Sequence, residues 1–219
     1  MNKQLIGVIA IVAVVLGFIF WKKSTQNKSD LVKIMDVPHF EMTNQYGERI
    51  SDRDMFGKVY LVEFFFTSCP TICPVMKQNL RIIEDSINDP NFGIISITID
   101  PKRDTPERLL KHYKQIQAKS PNWYMLTENR NYIQEVSKRF NIYIGDSQDE
   151  SKSLDHSGNF ALVDKNGKLR SRTNDHGIPK LYYSGLNYTD PEGTNPSLNG
   201  IYHPDVNLVI EDIKKLLAE

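Results

Sequence analysis

The stretch that most constrains the fold is Phe64–Met76, FFFTSCPTICPVM, which holds the chain's two cysteines, Cys69 and Cys73. An apolar run, Val59–Phe66, leads into it, with Glu63 its only charged member. Behind it, Met76, Leu80, Ile83 and Ile87 recur in the three-four rhythm of a buried helix face. Stepping back from Met76 by three and then four reaches Cys73 and Cys69. The order is therefore a buried strand, a turn carrying two thiols, and a helix. Pro74 suits a first helical turn, where a missing N–H costs little, so the regular helix is predicted to begin near Cys73.

Side chains four apart lie on one helix face, roughly 5–6 Å apart at Cβ. Two sulfurs so placed can close on one metal ion or, with local unwinding, form a disulfide. A helix N-terminus stabilises anions, so at least one thiol is expected to have a lowered pKa. A low-pKa thiolate pair is both a nucleophile and a soft metal ligand.

The remaining pattern alternates strands and helices. Gly93–Ile99 reads as a strand buried on both faces. Asp104 or Thr105 can cap a helix running to Lys119, with Pro106 in its first turn. Trp123–Leu126 follows as a strand and Asn129–Phe140 as a helix. Asn159–Asp164 and Lys168–Arg172 form a hairpin around Lys165-Asn166-Gly167, and Asp205–Ala218 is the last helix. Upstream, Val37–Phe40 and Glu48–Ile50 read as a short hairpin around Asn44-Gln45-Tyr46-Gly47. This succession suits a thioredoxin-like α/β layer fold over 37–219. Residues 175–203, rich in Tyr, Gly, Asn and Pro, lack periodicity and read as an irregular insertion, either a lid over the site or decoration.

Ahead of the domain, Leu5–Trp21 is seventeen residues without a charge, the short end of what spans a bilayer. Trp21 suits an interfacial anchor. No small-x-small cleavage site precedes Lys22, so the segment reads as an uncleaved transmembrane helix rather than a signal peptide. Residues 1–4 are a short N-terminus and 22–36 a polar tether. Lys3 and the α-amino group lie on one side of the span and Lys22, Lys23 and Lys28 on the other, so positive charge by itself does not favour an exported domain. The N-terminus lacks the Arg- and Ser-rich look of a mitochondrial leader. Lys+Arg and Asp+Glu balance at 27 each, and nothing in the sequence suggests a nucleic-acid surface, which would show clustered basic charge. Two cysteines are too few for a disulfide scaffold.

Three separated motifs resemble those of the Sco (SenC) family of copper-binding, thioredoxin-like proteins. They are Thr67-Ser68-Cys69-Pro70-Thr71-Ile72-Cys73-Pro74, Asp100-Pro101 with Asp104-Thr105-Pro106, and Asp155-His156-Ser157. The resemblance runs from about Pro38 to about Arg170. It implies a metallochaperone that holds one copper ion, Cu(I) or Cu(II), on Cys69, Cys73 and His156. It further implies maturation of the binuclear copper centre of cytochrome c oxidase, with a copper-accepting oxidase subunit and an upstream copper donor or thiol reductant as partners. It also implies export, placing the domain outside a bacterial inner membrane. Asp155 and Asp100 are candidates for carboxylates that orient the ligands; for each, loop or turn capping is the alternative. Met76 is expected in the core. His39 and His112 are expected in ordinary surface or packing roles, and His176 and His203 bracket the insertion. Two other functions use the same thiols. One is a thiol–disulfide oxidoreductase keeping exported cysteines reduced. The other, a peroxiredoxin-type peroxidase, needs threonine three residues and proline seven residues before the reactive cysteine, where this chain has Phe66 and Val62.

Overall fold

The computed structural model describes residues 12–17, 29–145, 157–174, 176–187 and 204–219. Residues 31–217 form one compact unit. Its elements, in chain order, are strands β1 (Val32–Asp36), β2 (Glu41–Asn44), β3 (Arg49–Ser51) and β4 (Val59–Phe65), helix α1 (Ile72–Ile87), strand β5 (Phe92–Thr98), helix α2 (Pro106–Gln115), strand β6 (Trp123–Thr127), helix α3 (Arg130–Arg139), strands β7 (Asn159–Val163), β8 (Lys168–Ser171) and β9 (Tyr183–Ser184), and helix α4 (Asp205–Ala218). The sheet runs β1-β8-β7-β4-β5-β6-β2-β3, with β9 added beside β7.

The centre is parallel. Every residue of β4 and of β5 is buried, and the two pair in register from Val59↔Phe92 to Phe65↔Thr98. Strands covered on both faces need near-continuous apolar sequence, which VYLVEFF and FGIISIT provide. β6 pairs parallel to β5, so α1 and α2 are crossover helices of consecutive βαβ units. Such crossovers are right-handed and stack on one face of the sheet. The pleat of β4 shows the outcome. Phe65 meets Lys77 of α1 and His112 of α2, whereas Phe64, one residue earlier, meets Phe140 at the end of α3, edge to face at 6.3 Å. Helices thus cover both faces of the sheet, as the α/β layer reading expects. The antiparallel strands β7 and β8 extend it beyond β4, and β2 beyond β6.

The structure revises several boundaries. Part of the predicted tether is a strand: β1 pairs antiparallel with β8. It lies at the sheet edge and exposes Lys33 and Asp36, and its sequence VKIMD is short and breaks the alternation expected of a half-buried strand. The N-terminal hairpin is β2–β3, its first strand beginning at Glu41 rather than Val37. Asn44 Oδ1 accepts hydrogen bonds from the Tyr46 and Glu48 amides, which fixes where the turn closes. α2 stops at Gln115 instead of Lys119; Gln117 takes a φ of 56°, which no continuing helix allows. α1 begins at Ile72, so Cys73 sits inside its first turn.

Residues 176–187, part of the predicted insertion, are knitted into the domain. β9 pairs with Asn159 and Phe160, and Tyr183 is fully buried. Gly185 is required there, since a Cβ would lie 2.5 Å from the Phe160 ring. The rest of 175–203, other than 176–187, lies outside the described residues. Of the predicted membrane span 5–21, only residues 12–17 are described; they are helical. Among the described residues no helix is long and apolar enough to cross a membrane.

Candidate metal centre

The turn after β4 brings the two predicted cysteines together. Cys69 is half-buried and Cys73 buried, and both are thiols rather than a disulfide. The Cys69 amide donates to Phe66 O at 3.3 Å, curling the chain directly off the strand end. Thr71, the residue preceding α1, makes no side-chain cap; its hydroxyl lies 3.8 Å from Cys69 Sγ instead. Both cysteines line a cleft of about 350 Å³ with Phe66, Pro74, Lys77 and His112 among its other walls.

The thiols are electrostatically unlike. Desolvation alone would raise the Cys69 pKa. Hydrogen bonds from the Cys73 amide and thiol, and from the Thr71 amide and hydroxyl, outweigh it and hold Cys69 below the ordinary thiol range. Deeper burial drives Cys73 the other way, far above that range, against a smaller lowering by the Lys77 charge. Cys69 is thus the accessible nucleophile, and a metal held on Cys73 would have to displace its proton. Copper affinity should therefore rise with pH near neutrality, about tenfold per unit for that proton. Competition titrations at pH 6.5, 7.5 and 8.5 would check the slope; a flat profile would mean that Cys73 binds as thiolate already.

Asp104 holds the thiol turn in place. The sequence offers it as a helix cap, but Thr105 takes that role, accepting from the Arg108 amide. Asp104, fully buried, instead accepts from the Thr67 amide at 3.0 Å, the Thr67 hydroxyl at 2.5 Å and the Thr98 hydroxyl at 2.6 Å. Arg108 Nε reaches the same Thr67 hydroxyl at 2.7 Å. Asp100 does not line the cleft. Its backbone carbonyl accepts from the Arg103 and Asp104 amides, and its carboxylate lies 3.1 Å from Arg103 Nε. Met76 is fully buried in the core, as its place in the apolar stripe predicts.

Below the thiols lies a cluster that the sequence reading passed over. Lys77, one turn after Cys73, pairs with Glu63 of β4 and sits 3.6 Å from the centroid of the Phe65 ring. His112 stacks on the same ring, centroids 5.9 Å apart and planes 20° from parallel. Its Nε2 is buried and has no hydrogen-bond partner among the described residues. Burial foremost, and then the Lys77 charge, lower its pKa to about 4. The lone charge of Glu63 in an apolar strand was the available signal; nothing in the periodicity of α2 marked His112.

A neutral, half-buried histidine makes stability depend on pH. Above about 6.5 the ring is neutral folded and unfolded, and nothing is lost. Between about 6.5 and about 4 only the unfolded chain takes the proton, so stability falls as pH falls. Allowing for the ring's partial exposure, the loss is about 1–2 kcal/mol. Urea unfolding at pH 7 and pH 5 should show it, and His112→Phe, which keeps the stack, should remove that share.

The other predicted residues are placed as follows. His156 and Asp155 lie outside the described residues, as does His203. His39 Nδ1 lies 2.6 Å from Asp52 on the surface, and His176 is exposed. Among the described residues no group of three or more His, Cys, Asp or Glu could hold a metal ion, so the described donor set is the thiol pair. Two soft sulfurs in one partly closed cleft fit a soft, thiophilic ion such as Cu(I).

Comparison with known proteins places this arrangement. The SCO1/SenC family profile matches residues 31–187, which take in the thiol turn, the Asp100–Pro106 motif and β9. An SCO2-like protein of Rickettsia typhi is 37% identical over 145 residues, 64% of this chain and 69% of that protein. The chain spans 64% of the length of three further Rickettsia relatives. The solved structure of BsSco, described as a member of the Sco family of cytochrome c oxidase assembly proteins with a disulfide switch, superposes at a TM-score of 0.64 and 25% identity. That match covers 86% of this chain and 96% of BsSco. Arabidopsis thaliana ScoI, solved with copper bound, shares the fold at a TM-score of 0.60 and 22% identity, over 83% of this chain and 98% of its own. With a thioredoxin-like sheet, a Cys-x-x-x-Cys turn at the head of its first long helix, and a family match over most of its length, the chain belongs to the SCO1/SenC family.

Proposed function

We propose that this protein is a copper carrier that holds one copper ion on Cys69 and Cys73, with His156 as third ligand. The observation that carries the reading is the pair of unbridged thiols converging on one cleft at the start of α1. Their softness suits Cu(I), and an imidazole extends the site to Cu(II). Copper-bound Arabidopsis ScoI shares the fold, and BsSco belongs to an oxidase-assembly family. The cargo's destination on this reading is the binuclear copper centre of cytochrome c oxidase. The partners are the oxidase subunit that accepts copper and an upstream donor or thiol reductant. Asp155 orients His156. Residues 5–21 anchor the chain in a bacterial inner membrane, 22–30 space the domain from it, and the domain works on the extracytoplasmic side.

The test is copper titration of the reduced full-length chain beside Cys69→Ser, Cys73→Ser and His156→Ala. One equivalent should bind. Either cysteine change should abolish retention, and His156→Ala should weaken Cu(II) more than Cu(I), with loss of a Cu(II)–thiolate absorption band. Unchanged Cu(II) affinity in His156→Ala would remove His156 from the site.

A second reading, thiol–disulfide oxidoreductase, is favoured by the inequality of the thiols. An accessible low-pKa Cys69 beside a buried high-pKa Cys73 is the arrangement of an attacking and a resolving cysteine. It predicts reduction of a protein disulfide by the copper-free dithiol, with Cys69 forming the mixed disulfide. Absence of stoichiometric copper binding together with that activity would replace the carrier reading.

A further inference from the structure

The pair beneath the thiols is costly and has no structural necessity. Lys77 is 5% exposed and Glu63 is 0% exposed. Two apolar residues of similar volume would hold α1 on β4 as well or better, because desolvating two charges consumes most of their attraction. Yet the site is built around them. Glu63 Oε1 also accepts from the Ser96 hydroxyl at 2.7 Å, and Ser96 in turn accepts from Trp123 Nε1 at 3.0 Å. Phe65 places its ring face under the ammonium. The pair is oriented. Lys77 lines the thiol cleft, one helical turn from Cys73, whereas Glu63 does not line it. The thiols therefore meet the cationic end of a buried dipole.

Charge balance says what that end can do. Two thiolates with Cu(I) carry a net charge of −1; with Cu(II) they carry none. In a partly buried cleft that difference is weakly screened by water. We propose that Lys77, held in place by Glu63, is a built-in counter-charge for a cuprous dithiolate on Cys69 and Cys73 and biases the centre toward Cu(I) over Cu(II). Lys77 is a positioning residue here: its ammonium is held by Glu63 and the Phe65 ring, and it acts on the centre through its charge. The inference rests on the copper-carrier reading and deepens it. It concerns which oxidation state the protein carries, which the ligand set alone leaves open. The direction in which Lys77 moves the Cys73 thiol agrees with it, since its charge favours the thiolate.

The test compares the reduced full-length wild-type chain with Lys77→Met and with Lys77→Met/Glu63→Gln. The double variant leaves no buried charge unpaired, so it keeps the comparison open if the single variant unfolds; thermal melts establish which variants are folded. Cu(I) affinity is read by competition with a chromophoric cuprous chelator, Cu(II) affinity by competition with an amino-acid chelator, and the Cu(II)/Cu(I) midpoint by redox titration. Loss of the counter-charge should weaken Cu(I) by about 10–100-fold, the range typical of residues that support a metal's ligands. Cu(II) should weaken at least tenfold less, which corresponds to a midpoint lowered by about 59 mV or more. Equal losses for both ions, or an unchanged midpoint in a folded variant, would overturn the counter-charge. A wild-type chain that binds no copper would overturn the carrier reading and this inference together; wild-type binding without the split would overturn this inference alone.

Discussion

Asp104→Ala should destabilise the domain by about 3–5 kcal/mol and release the thiol turn. The carboxylate is fully buried and gathers three donors, two of them from Thr67, two residues before Cys69. Removing it leaves the part-buried Thr67 amide and hydroxyl and the buried Thr98 hydroxyl without their acceptor. Each such group costs about 1–3 kcal/mol, and Arg108 loses its anionic neighbour 3.5 Å away. Asp104→Asn should cost less, because one oxygen still accepts. Urea unfolding measures the stability term. The functional term is the alkylation rate of Cys69, which should rise in Asp104→Ala under native conditions as the turn loosens and exposes Cys73 behind it. A variant with native alkylation kinetics and a loss under about 1 kcal/mol would show that the turn is held by the strand end alone.

The second large effect lies where α4 meets the end of β8 and β9. Asp212 of α4 is fully buried and accepts from Arg172 Nε at 2.7 Å, from Arg172 Nη2 at 2.8 Å and from the Tyr183 hydroxyl at 2.6 Å. This two-pronged pairing joins α4 to the end of β8 and to β9 in one network. Asp212→Ala should cost about 3–5 kcal/mol, since it leaves a buried phenol without its acceptor and takes two charge-assisted bonds from Arg172, which keeps only Glu211 and the Leu208 carbonyl. Asp212→Asn should recover part of that. Hydrogen exchange should show where the loss falls: protection should drop across β9 and α4, with β4 and β5 little changed. Uniform loss across the sheet would mean that α4 and β9 unfold only with the whole domain.

These two residues show what a sequence reading can reach. The strand–turn–helix core was legible because its signals are local. An unbroken apolar run marks β4, a three-four stripe marks α1, and two prolines frame the cysteines. The same holds for β5, the β7–β8 hairpin and α4, whose ranges the pattern finds to within a residue or so. β1 was not legible, because it is five residues at a sheet edge with Lys33 and Asp36 exposed, and it is ordered by its partner β8, far along the chain. β9 was hidden for a related reason: two residues carry no period, and its burial comes from Phe160 and Asp212.

At the candidate site the division is the same. The spacing of Cys69 and Cys73, together with the helix that follows, is enough to predict two thiols on one helical face beside a strand end, and the three ordered motifs are enough to point to the family. Asp104 reads locally as a cap, and its reach to Thr67 depends on β5 lying beside β4. Glu63 reads as an odd charge in a strand, and its partner is found only when α1 folds back over the sheet. His112 reads as one more polar residue on an amphipathic helix until Phe65 is packed beneath it. The inequality of the two thiols follows in the same way, from how much water each loses and which groups surround it once packed. Periodicity and spacing are properties of neighbours in the chain, so residue order suffices for them. Burial, charge pairing and pKa depend on atoms distant in the chain and close in space, and they take their values only in the folded protein.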